Sequence, residues 1–207
     1  MNPNWAEENL LTIRTLMERS AVYRRALAPI MLMAGVVGLA GAATTFFLRV
    51  DDPKLFAGIW YALANVVLVV ALLLTRRQAM KSQELFWSPP TRRVVQALIP
   101  PLFCGLFLSL VFGWVSNSTA LDFFTVIIWL LFYGCALHAA GAFMTRSVRL
   151  FGWAFIAGAT ISTLTVLATH APCTPDAASL TMGFFFGILH LAYGVYLYFT
   201  EKKNPVA

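Results

Sequence analysis

The stretch FFTVIIWLLFYGCALHAAGAFM, Phe123 to Met144, holds no charged side chain and carries a histidine, His138, towards its end. A helix that crosses a bilayer needs roughly 20 mainly apolar residues, and this run has that length. Working outward from it, uncharged runs of similar length recur at residues 26–48, 55–75, 94–115, 150–169 and 178–199. Composition agrees: 59% of the 207 residues are hydrophobic and 12% are charged, whereas soluble domains run nearer half and a quarter. The predicted fold class is therefore all-α, a polytopic membrane protein with six transmembrane helices over residues 26–199. Residues 1–25 are expected to form an N-terminal interfacial amphipathic helix, and residues 200–207 a short tail.

The charges orient the bundle. With the N-terminus cytoplasmic, all of the 15 Lys and Arg residues except Arg49 and Lys54 fall on the inner side, as the positive-inside rule requires. The acids sort as well: every Glu is inside, and Asp51, Asp52, Asp122 and Asp176 are outside. Both termini are thus expected in the cytoplasm. The first span follows a polar segment with Glu7, Glu8, Arg14, Glu18, Arg19, Arg24 and Arg25 and lacks a compact cleavage region, so it reads as a retained helix and not a cleaved signal.

The net charge of +6 sits in short inner loops where topology accounts for it, so nucleic acid is not an expected partner. Cys104, Cys135 and Cys173 fall in three separate elements and form neither a disulfide framework nor a CxxC pair. The sequon Asn117-Ser118-Thr119 lies in a very short outer loop and reads as chance.

On a helical wheel the N-terminal segment places Trp5, Leu10, Ile13, Leu16, Met17 and Tyr23 on one side, with Leu11 and Val22 interrupting the polar face. Such a helix lies in the membrane interface or docks a cytoplasmic partner. In the loop 76–93, Phe86 and Trp87 suit the headgroup layer, and Pro89-Pro90 is expected to stop any helix before the third span. Pro100-Pro101 is expected to kink that span or reset its start. Small residues at four-residue spacing mark close-packing faces: Ala34, Gly38 and Ala42; Ala154, Gly158 and Ser162; Gly183 and Gly187. They predict a compact bundle more than a wide pore, and the same motif serves homo-oligomers.

No Asp, Glu, Lys or Arg lies inside a span, which removes the usual proton-relay carboxylates. Polar candidates at depth are Asn65, Cys135, His138, Ser162, Thr163, His190 and Tyr193. At 1.5 Å per residue from the outer ends, Asn65 lies ~15 Å deep, His190 ~18 Å and His138 ~22 Å, so a shared polar layer of Asn65, His138, His190 and Tyr193 is expected as a binding site. Gly134 and Gly141 flank His138 on its own helical face, and Gly187 and Gly194 flank His190. Bare faces of this kind let helices approach until the imidazoles bond each other or Asn65. Alternatively they let a haem b lie flat with His138 and His190 as axial ligands and Arg146 and Arg149 near its propionates. Cys135-x-x-His138 and His170-x-x-Cys173 each supply two ligands, too few for a closed zinc site, and no metal is expected.

The segment His190-Leu-Ala-Tyr-Gly194 superficially resembles the histidine helix of rhomboid intramembrane proteases. However, Gly134-Cys135-Ala136-Leu137 stands where that family has Gly-x-Ser-Gly, and the loop from Arg49 to Lys54 is far too short for its inserted loop. The runs Ile13-Arg-Thr-Leu-Met-Glu-Arg-Ser-Ala-Val-Tyr-Arg24 and His190-Leu-Ala-Tyr-Gly-Val-Tyr-Leu-Tyr-Phe-Thr-Glu201 are similar to a group of uncharacterised bacterial six-helix inner-membrane proteins. That resemblance implies a bacterial inner-membrane location and no chemistry. With no catalytic motif, the expected role is a non-enzymatic binding, regulatory or transport-associated membrane component; the alternative is a bis-histidine haem redox or sensor protein.

Overall fold

A chain surrounded by hydrocarbon has to satisfy its backbone hydrogen bonds internally, and the secondary structure of the described residues is helical throughout. The computed structural model describes residues 26–81, 83, 86–115, 120–170 and 172–202. The expected interfacial helix of residues 1–25, the sequon at 117–119 and the end of the tail lie outside the described residues. The helices are α1 (Ala26–Phe47), α2 (Pro53–Lys81), α3 (Pro89–Val115), α4 (Ala120–Ala140) and α5 (Arg146–Thr169), followed by a sixth span in three parts. That span is α6 (Pro175–Met182), a π-helical turn (Gly183–Leu189) and α7 (His190–Lys202). Among the described residues, six helices are long and apolar enough to cross a membrane.

Helix ends follow local chemistry more than hydropathy. α1 closes where Arg49 takes a left-handed φ of 48° and the Val50 N–H returns to the Thr45 carbonyl at 3.0 Å. α2 runs past the expected end at Thr75 through Arg76 and Arg77 to Lys81, since Arg, Gln, Ala, Met and Lys are good helix formers wherever the lipid ends. α3 begins at Pro89 and not near Val94. Pro89-Pro90 does not stop a helix here: it opens one, because the first-turn positions have no intrahelical acceptor for an N–H. The Ser88 carbonyl takes the Arg92 N–H at 3.0 Å, and the Ser88 hydroxyl meets that of Thr91 at 2.9 Å. Pro100 and Pro101 lie inside α3 without breaking it. α4 ends at Ala140, short of Met144, because at Gly141 the chain turns against α5. A Cβ at Gly141 would sit 2.8 Å from the Arg149 Cα. Thr174 caps α6, its hydroxyl accepting the Ala177 N–H at 3.2 Å with Pro175 in the first turn.

Two seams of missing side chains hold the bundle. Between α4 and α5, a Cβ at Gly134 would collide with Gly152 and Ile156, and one at Gly152 would lie 2.6 Å from the His138 backbone nitrogen. Between α1 and the sixth span, Gly35 receives Leu191, Gly38 receives the Phe186 carbonyl, Gly183 receives Ala42, Gly187 receives Leu39 and Gly194 receives Leu32. The small-residue stripes of the first and last spans therefore pack against each other, as membrane helices without a hydrophobic drive between them do. The core collects Met31 of α1, Val126 and Leu130 of α4, Val148 and Phe155 of α5, and Ala178 and Met182 of α6. α2 and α3 lie at the periphery, with Leu68, Val69, Leu73, Phe103 and Phe107 facing outward.

Candidate functional site

His190 is the most enclosed polar side chain of those the sequence singles out, 1% exposed. Its Nδ1 is 2.9 Å from the Phe185 carbonyl oxygen, five residues back, and its Nε2 is 2.8 Å from the Tyr133 hydroxyl of α4. A carbonyl can only accept, so Nδ1 carries the proton; in the neutral ring Nε2 accepts and Tyr133 donates. Aromatic rings close the box. Phe151 and Phe155 meet the imidazole edge-on at 5.1 and 5.5 Å, and Phe186 stacks on it at 5.8 Å.

The π-helical turn assembles this box. It lies immediately before His190, and its wider turn lets both Phe185 and Phe186 reach the Phe155 ring, at 5.4 and 5.3 Å. π turns of this kind recur at functional sites. One turn on, Tyr193 stacks on Phe151 with centroids 4.3 Å apart and donates to the Ser147 hydroxyl at 3.1 Å. Ser147 also meets the Thr145 hydroxyl at 2.9 Å, which ties the last span to the turn between α4 and α5.

The expected layer is only partly assembled. His190 and Tyr193 share the aromatic cluster, through Phe151. His138 makes its ring contact elsewhere, edge-on to Trp153 at 5.3 Å, and its Nδ1 is buried without a hydrogen-bond partner. Tyr133, five residues earlier and so on a different side of α4, is the residue that reaches His190. Asn65 is exposed on α2, its Nδ2 donating to the Tyr61 carbonyl of its own helix at 2.8 Å. Similar depth did not bring these groups together, because the azimuth of each helix decides which neighbour it meets.

The residues around the two histidines do not fit a bis-histidine haem. Both ring nitrogens of His190 have protein partners, phenylalanines fill the space around the ring, and the flanking glycines are occupied by α5 at His138 and α1 at His190. Among the described residues no three His, Cys, Asp or Glu side chains converge as a metal site would require. Cys104, Cys135 and Cys173 are all free thiols.

Tyr133 and the phenylalanine box escaped the sequence reading. The available signal was chemical: a tyrosine deep in an apolar run needs a partner for its hydroxyl. A second polar contact links α2 and α3, where the Tyr61 hydroxyl donates to Ser109 at 2.8 Å and Ser109 donates to the Leu106 carbonyl at 3.0 Å. Beside it, Phe56, Trp60, Thr125, Trp129 and Met182 line a cavity of about 10 Å³, room for roughly one water. No protein-family model, curated protein or solved structure matches this chain.

Proposed function

We propose that this chain is a non-enzymatic component of a bacterial inner membrane, a regulatory or transport-associated bundle that acts through the helices it presents to its surroundings. The observation that carries this reading is the closed state of its interior. His190, the residue best placed for chemistry, spends both nitrogens on Tyr133 and Phe185 inside a box of phenylalanines. The concentration of Lys and Arg at 76–93, 146–149 and 202–203 supports cytoplasmic termini and lipid as the first partner.

A visible absorption spectrum of the detergent-purified chain tests this, taken as isolated, with added haem and after dithionite. The expected spectrum is featureless and unchanged by haem. A Soret band with sharp reduced bands, lost in His138→Leu and in His190→Leu, overturns the reading in favour of a haem redox or sensor protein. Orientation is checked separately by labelling single cysteines placed near Lys54 and Lys81 from one side of sealed vesicles.

A further inference from the structure

α2 carries a polar residue on its outward face. Its inner face is fixed by Phe56 and Trp60 and by Leu63 against Gly41, while Tyr61, bonded to Ser109 of α3, lies to one side. On the opposite side lie Gly58, Ala62, Asn65, Val69 and Leu72, all exposed and spaced alternately four and three residues apart. That spacing is the seam of a helix pair. Asn65 stands ~18 Å along the helix from Pro53, within the hydrocarbon layer. Its Nδ2 turns back to the Tyr61 carbonyl, and no described residue partners its Oδ1. Gly58 is equally unexplained by the single chain: a Cβ there would meet nothing within 4 Å, whereas at Gly35 or Gly152 it would lie 2.6 Å from a neighbour.

We propose that this face of α2 is the interface of a homodimer, in which Asn65 of each copy hydrogen-bonds Asn65 of the other. Two copies inserted by the same rules share one orientation, so their twofold axis stands along the membrane normal. About that axis each α2 residue meets its own counterpart at equal depth. A carboxamide carries both a donor and an acceptor, so Asn65 is complementary to itself and forms two reciprocal bonds. Ala62 and Gly58, one and two turns away, let the backbones close to the distance those bonds require. The inference goes beyond the function proposed above and shares with it only the membrane placement.

The test is a dilution series of the fluorescently labelled full chain in lipid vesicles, read by energy transfer, for wild type, Asn65→Leu and Gly58→Leu. Wild type is expected to associate reversibly. Asn65→Leu weakens association about ninefold, from two bonds each contributing about threefold, and Gly58→Leu abolishes it. Both variants should melt as wild type in detergent, since neither side chain supports the single chain. Independently, Val69→Cys in a chain with Cys104, Cys135 and Cys173 replaced by serine forms an oxidative dimer in membranes, and Leu106→Cys on the exposed face of α3 does not. A wild type that stays monomeric at every dilution overturns the proposal. So does association that neither substitution weakens. Either failure would leave the featureless spectrum, and the reading it tests, untouched.

Discussion

The Tyr133 hydroxyl and Nε2 of His190 stand 2.8 Å apart across 57 residues of sequence, joining the fourth span to the last. Tyr133→Phe keeps the ring and leaves Nε2 facing phenylalanines with no donor. The loss should be about 1–2 kcal/mol of stability, and His190→Leu should cost a comparable amount. The double variant should cost less than the sum, with a coupling of roughly 0.6–1.7 kcal/mol in thermal or denaturant unfolding. Additive losses would mean that the two groups do not bond in the folded protein.

His138 provides the contrast. Its Nδ1 is buried without a partner, so His138→Leu removes an unsatisfied group. Stability should be unchanged or higher by up to about 1 kcal/mol. A His138→Leu melt lower than that of His190→Leu would assign His138 a partner that this arrangement lacks.

At Gly152 the obstacle to a side chain is backbone: a Cβ would lie 2.6 Å from the His138 nitrogen and 2.7 Å from the Gly134 oxygen. Neither atom can rotate away. Gly152→Ala should therefore push α4 from α5 and cost about 1–3 kcal/mol, despite alanine's better helix propensity. A variant as stable as wild type would show that this seam gives easily.

Tyr61→Phe removes the hydroxyl that donates to the buried Ser109 at 2.8 Å. The expected cost is about 0.6 kcal/mol, the usual size of such a bond in a membrane. Amide exchange should rise more in α2 than in α4, because α2 packs on few neighbours; uniform exchange across both would count against that view.

The six spans and the small-residue stripes of the first and last spans were legible in the sequence, because span length and close approach depend on local residue types; which stripe meets which was not. What it could not give was azimuth. α2 is apolar on nearly every side, so nothing in its pattern says whether Asn65 faces the bundle or the lipid. The same blindness pointed to His138 as a partner for His190, when the residue that arrives is Tyr133. Pro89-Pro90 was misread for another reason: proline's effect depends on whether an N–H is needed at its position, and at the start of α3 it is not.

The π turn also makes residue number matter separately from residue type. A π turn is one residue of surplus taken into a helix whose two halves keep their neighbours. Deleting one residue from Gly183–Leu189 would close the span into plain α-helix, still long enough to cross. The oxygen of Phe185 would then return to the ordinary helical ladder, and the imidazole would lose the acceptor that holds its Nδ1. The extra residue serves the histidine and not the crossing, so a single deletion here would separate insertion into the membrane from assembly of the aromatic box.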